Sequence, residues 1–379
     1  MIYLDNAATS CPKPADCLHR ALDRYLELGV SPGRGGYDRA LEAADIVTEV
    51  RKKIGRFFRA GVDSQVCFAG NATDALNIMI QGLVKSGDHV VATRLEHNSV
   101  LRPLRHLERQ GIISCDLVGF SEDGFIDPAR LAASLRPTTR LVVMTHASNV
   151  LGTVQPVAEI GALCRSRGIP LIIDVAQSAG CIPIAMADWN VQGLAFTGHK
   201  SLLGPSGIGG LVLAPGLDPL PTRYGGTGVD SVNPFQPLTY PHRLEAGTLN
   251  LLGILGLDES LTLVEGHMAE NFIREMQLTE KLRDGLSKIA RIKLYAARNL
   301  KQNHLPILSC AVDGMASSDA GAILDGDYGI AVRTGLQCAP LVHEDLGSGE
   351  AGAIRFSLGP STSEADIDAA IAAMTAIAA

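Results

Sequence analysis

Short apolar runs rich in Val, Ile and Leu recur along the first two thirds of the chain, at 66–68, 89–93, 112–118, 141–145, 171–174, 194–197 and 208–213. Stretches such as LVVM (141–144) and LIID (171–174) are apolar at successive positions, not alternate ones. That pattern predicts strands covered on both faces, as in a mostly parallel sheet with helices on each side. Helical periodicity fills the gaps, over 73–85 after the turn GNA, over 100–110, and over 157–167 before a stop at Gly168. Strands alternating with crossover-length helices predict an α/β architecture.

After about residue 253 the texture changes. A long helical stretch covers 254–290, followed by strand-like pieces at 292–295, 306–312, 330–333 and 353–358 and a closing helix, for which Ser361 and Glu364 have capping-box spacing. At ~150 residues per domain, 379 residues suggest two. The expected division is a large domain over 12–253, with a mostly parallel mixed sheet, and a smaller C-terminal α+β domain over 254–379, on which residues 1–11 pack.

Apolar residues make up 46% of the chain and charged ones 19%, which excludes a disordered protein. With 33 Lys and Arg against 40 Asp and Glu the formal charge is −7, so no overall field attracts nucleic acid or an anionic membrane, and any phosphate must be held locally. No apolar stretch reaches the ~18 residues needed to span a bilayer. Asp5 interrupts the place where a secretory signal would be apolar, so a cytoplasmic protein is expected. The 8 cysteines contain no CxxC pair, which points to neither a metal cage nor a disulfide framework. GSGEAG at 347–352 formally matches a dinucleotide fingerprint, but a strand pattern follows it where a helix is required.

Polar residues directly after buried strands are the places to look for chemistry. In LIIDVAQSAG, Asp174 ends a strand and Gln177 follows. In GLAFTGHKSLLGPSGIGG, His199 and Lys200 follow the next strand and enter a Gly-rich loop. A carboxylate and a lysine at neighbouring strand ends form the set that holds pyridoxal 5′-phosphate: lysine makes the Schiff base and the carboxylate keeps the pyridinium nitrogen protonated.

Together with YLDNAATS, NATDALN, EHNSVLRPL, THASNVLGT, EAGTLN, RTGLQCAP and RFSLGP, these segments resemble the class V aminotransferase-fold enzymes, and within them the cysteine desulfurases and selenocysteine lyases. The likeness covers essentially the whole chain and implies the fold type I architecture of PLP-dependent transferases. It implies that Lys200 is the Schiff-base lysine and Asp174 the pyridinium partner, that Gln177 bonds the phenolic oxygen, and that His97 stacks on the ring. Thr73 at a helix start, Thr197 and His199 would hold the phosphate. The family pattern puts Thr248 on the phosphate of a neighbouring subunit, which makes a homodimer the expected unit. Asn149 would lie near the substrate and the phenolic oxygen.

Carbon–sulfur cleavage by this route needs a sulfur nucleophile. Cys338 is the candidate, because it lies in a loop while most other cysteines fall in strand or helix patterns. Arg355, charged amid apolar neighbours, would clamp the substrate carboxylate, and Arg333 would help place the cysteine loop. The expected reaction takes sulfur from L-cysteine, or selenium from selenocysteine, releases L-alanine and leaves on Cys338 a persulfide whose outer sulfur a possible sulfur-acceptor protein would take. An aminotransferase or epimerase without persulfide chemistry is the alternative. Two departures stand out: Gln337 replaces a histidine common before the nucleophile, and Gly33 and Tyr37 replace histidines expected at the substrate mouth.

Overall fold

The architecture was read from a computed structural model that describes residues 1–33, 35–296, 300 and 303–379. A short strand β1 (Ile2–Tyr3) and helices α1 (Ala15–Leu28) and α2 (Asp38–Phe57) open the chain. They lead into β2 (Gln65–Ala69), α3 (Ala72–Leu83), β3 (Asp88–Thr93), α4 (Asn98–Arg109), β4 (Ile113–Val118), α5 (Pro128–Ser134), β5 (Thr139–Thr145), α6 (Val157–Ser166), β6 (Leu171–Asp174), β7 (Gly193–Thr197) and β8 (Gly209–Leu213). The remainder is α7 (Leu251–Leu286), β9 (Ile292–Tyr295), β10 (Ile307–Val312), α8 (Ser317–Tyr328), β11 (Ile330–Ala331), α9 (Pro340–Leu346), β12 (Ile354–Ser357) and α10 (Glu364–Ile377).

Seven strands form one sheet in the order β2-β8-β7-β6-β5-β3-β4. Only β8 runs against its neighbours, because residues 198–208 return directly from β7 without a crossover helix. The unbroken apolar runs serve both faces. Along β5, Leu141 and Val143 pack with Leu76 and Met79 of α3 and Leu104 of α4, while Val142 and Met144 pack with Val47 and Ile54 of α2 and Ile160 of α6. Each such side chain contributes roughly 1.5–3 kcal/mol by leaving water.

A three-stranded antiparallel sheet, β12-β10-β9, packs against α8, α10 and the far end of α7. Helix α7 joins the two cores: Ile254 and Leu257 belong to the first, Leu282 and Leu286 to the second. The N-terminus lies on the second, with Leu4 in its core and Ile2 paired to Ile330.

Helix starts differ from the sequence expectation where side chains cap. Asn250 accepts the Gly253 N–H, so α7 begins earlier than residue 254. The capping box of α10 is formed by Ser363 and Asp366, not by Ser361 and Glu364. Glu364 is already helical, and the Ser361 hydroxyl instead donates to the Cys11 carbonyl at 3.3 Å. Among the described residues no helix is long and apolar enough to cross a membrane.

Candidate active site

The carboxyl ends of β5, β6 and β7 and the start of α3 converge on a cavity of about 510 Å³. Its lining brings together Thr73, His97, Asn149, Asp174, Gln177, Thr197, His199, Lys200, Arg333, Cys338 and Arg355. Asp174 is the last residue of β6 and pairs in register with Ala195 of β7, five residues before Lys200. The loop after β6 stacks directly on the lysine loop at Gly180, whose φ is +86° and where any Cβ would collide with the Ser201 carbonyl.

Charge in the cavity is set by burial. Asp174 is buried, which pushes its carboxyl upward; the Ala176 N–H, 2.9 Å from Oδ1, and the Lys200 ammonium pull the other way. Burial lowers Lys200 to about 8 against the opposing pull of Asp174. His97 is pushed down to about 4, by burial first and then by Lys200, Arg102 and Arg355. It is therefore neutral. Its Nδ1 accepts the Ser99 N–H at 3.0 Å, capping α4, which leaves the ring proton on Nε2. The Ser99 hydroxyl joins His97 Nδ1 and Thr73 Oγ1, both at 2.7 Å.

The start of α3 opens onto the cavity. Asn71 caps it by accepting the Asp74 N–H, and Asn71, Ala72 and Thr73 line the cavity where the first helical N–H groups lack intrahelical partners. Thr197 Oγ1 is buried with no partner, and His199 Nδ1 meets Thr9 Oγ1 at 3.1 Å. On the other side Gln177 Nε2 donates to the Ala7 carbonyl at 3.1 Å.

Arg355 is 3% exposed. Its Nη2 meets Asp5 Oδ1 at 2.7 Å, its Nη1 donates to the Asn149 carbonyl at 3.0 Å, and its buried Nε has no partner. Arg333 is its neighbour across an antiparallel bridge. Cys338 is exposed, unlike the chain's other cysteines, which are buried or half-buried.

Sequence reasoning passed over Asp5, Ser99 and Asn71. All three lie inside the motifs YLDNAATS, EHNSVLRPL and NATDALN, and their polarity among small residues was the available signal. Thr248 is exposed and does not line this chain's cavity, and neither do Gly33 and Tyr37, so the expected effect of those two on the substrate mouth has no counterpart within one chain.

The aminotransferase class-V family model matches residues 2–370. The chain belongs to that family. Among relatives of this class-V chain, the probable cysteine desulfurase of Methanothermobacter thermautotrophicus is 35% identical, over 89% of this chain and 84% of its own length. The cysteine desulfurase of Pectobacterium atrosepticum is 31% identical over 100% of this chain and 93% of its own. The apo structure of a cysteine desulfurase from Thermococcus onnurineus superposes with a TM-score of 0.92 at 30% identity, covering 100% of this chain and 94% of the other. The chain thus has the class-V fold, and the relatives and the solved structure it resembles here are cysteine desulfurases.

Proposed function

We infer that the chain is a PLP-dependent cysteine desulfurase that moves sulfur from L-cysteine onto Cys338 and releases L-alanine. One observation carries this reading: a lysine, a buried carboxylate, an arginine with an unspent N–H and the exposed cysteine all border one cavity.

The residues present fit the cofactor. The unpartnered Thr197 hydroxyl, the free N–H groups at the start of α3, Thr73 and His199 form a donor set for a phosphate. Asp174, Gln177 and His97 line the same cavity, where they would meet a ring nitrogen, a phenolic oxygen and the ring face in turn. When bound, the cofactor supplies an electrophilic aldehyde and a ring that accepts electrons. Lys200 Nζ would hold that aldehyde, and a lysine lowered to about 8 is a competent base for the substrate Cα proton near neutral pH. Arg355 offers its unused Nε to the substrate carboxylate, with Arg333 beside it. The Cys338 thiolate attacks the substrate sulfur, so the Sγ–S bond forms as the carbon–sulfur bond breaks.

A sulfur acceptor has a route to the persulfide. Cys338 also borders a second groove of about 420 Å³, lined by Asn77, Gln81, Arg102 and His106. A homodimer is supported by the apolar side chains left uncovered around 224–238, among them Val232, 96% exposed, and Phe235, 78% exposed. The Thr248 segment is tied to that region through Gly247 N–H to the Gly226 carbonyl at 2.8 Å. Unpaired cysteines throughout fit the reducing cytoplasm.

The deciding experiment incubates the holoenzyme with L-cysteine and assays alanine, sulfide and protein-bound persulfide together. Cys338→Ser should keep the cofactor colour and lose all three products. Alanine made by Cys338→Ser at the wild-type rate would instead support an aminotransferase-like or lyase reaction that needs no thiol.

A further inference from the structure

The turn that presents Cys338 is held in a conformation its residues rarely adopt. Gln337 has φ +42° and Cys338 φ +60°, consecutive non-glycine residues in the left-handed region. Such geometry persists only where surroundings over-determine it. Here they do. Gln337 is buried, its Nε2 donates to the Ala353 carbonyl at 2.8 Å and its Oε1 meets His343 Nε2 at 2.7 Å. Because the amide nitrogen is committed to a carbonyl, the amide oxygen faces the ring, and His343 carries its proton on Nε2. His343 Nδ1 is then an acceptor for the Ser348 hydroxyl at 2.8 Å.

The main chain is fastened as well. Asn149 Nδ2 donates to the Gln337 carbonyl and the Asn98 N–H to the Cys338 carbonyl, each at 2.7 Å. Ala353 leads into β12, which carries Arg355, so the side chain proposed to clamp the substrate and the thiol proposed to attack it share one frame. His343 is fully buried on α9, and burial pushes it down to about 4. Both its nitrogens are engaged, and Gln337 carries no titratable group.

We propose that Gln337 and His343 are positioning residues for sulfur transfer: together they lock the left-handed turn that aims Cys338 at the cavity, and neither removes the thiol proton. This rests on Cys338 being the nucleophile.

The test compares wild-type holoenzyme with His343→Leu, which loses the donor, and His343→Gln, whose amide can restore it. Three readouts are taken: kcat and KM for L-cysteine, the pH midpoint of Cys338 alkylation by iodoacetamide, and the melting temperature. His343→Leu should lower kcat by about 10-fold or more with KM within about 2-fold, the split expected when an interaction needed for the reaction step is lost and substrate binding is not. His343→Gln should recover most of kcat, and the alkylation midpoint should be the same in all three. If His343→Leu does not accumulate, Ser348→Ala, which removes the last bond of the network, should lower kcat alone by a smaller factor.

A shift of the midpoint by a full pH unit would make the network a proton acceptor and overturn the proposal. Equal losses in the Leu and Gln variants that follow melting temperature would reduce His343 to a structural residue and overturn it too. Wild-type enzyme that still forms alanine after Cys338 is alkylated would sink the desulfurase reading itself, a result visible in the same samples and distinct from the other two.

Discussion

Asn149 reaches the Gln337 carbonyl with its side-chain amide at 2.7 Å while its own carbonyl accepts Arg355 Nη1 at 3.0 Å. One residue therefore couples the arginine to the cysteine turn. Asn149→Ala leaves a carbonyl of that turn without its partner, which costs about 1–3 kcal/mol where the group stays buried. The melting temperature should fall by several degrees and kcat by roughly 10-fold, since the turn loses one of its fastenings. Thermal melts and steady-state kinetics check this; a variant matching wild type in both would remove Asn149 from the site.

Asp5 is the charge partner of Arg355, whose guanidinium is 3% exposed. Asp5→Asn leaves that cation unpaired, and breaking a buried pair from one side typically costs about 3–5 kcal/mol. Asp5 itself is less deeply buried, so the lower end is expected. A bound amino-acid carboxylate would replace the missing charge. Saturating L-alanine should therefore raise the melting temperature of Asp5→Asn more than that of wild type, and equal shifts would place the substrate carboxylate elsewhere.

Lys200 is lowered to about 8, mainly by burial, and Asp174 is the first of the influences that hold it up. Only the neutral amine attacks an aldehyde. Capture of PLP by the apo protein, followed by absorbance, should accelerate about tenfold per pH unit below 8 and level off above it. Asp174→Asn removes the supporting charge and should move the curve to lower pH. A curve that does not move, or one centred near 10, would separate Lys200 from Asp174 electrostatically.

What the sequence made legible follows from range. The successive apolar positions of β5 and β6 reported two covered faces because that information is local, and the packing of Val142 and Val143 on opposite sides bears it out. Asp174 and Lys200 stood out because ionisable residues at the ends of such strands have few structural reasons to be there. The partner of Arg355 did not, since Asp5 lies 350 residues away. The capping box of α10 was misplaced by two residues because Ser361 and Ser363 look alike until the Cys11 carbonyl claims one of them. Gln337 read as a missing histidine, and only the fold reveals that His343 lies against it.

Glu96, next to His97, is wholly buried and raised to about 8, by burial first, against the Thr93 hydroxyl and the Thr145 N–H that bond its Oε1 at 2.6 and 3.0 Å. Asp174 on β6 raises it further, and Glu96 in turn raises the Cys115 thiol on β4. Its second oxygen has no partner. Between the ordinary 4.5 and about 8 the folded protein holds a proton that the unfolded chain has released, so stability falls as pH rises through that window. Glu96→Gln keeps the acceptor and never ionises. The two proteins should melt alike near pH 4, and the variant should gain steadily toward pH 8, by up to a few kcal/mol. Glu275, also raised to about 8 by burial, adds the same slope to both and cancels in the difference. Parallel melting curves from pH 4 to pH 8 would mean that Glu96 titrates like an ordinary carboxylate.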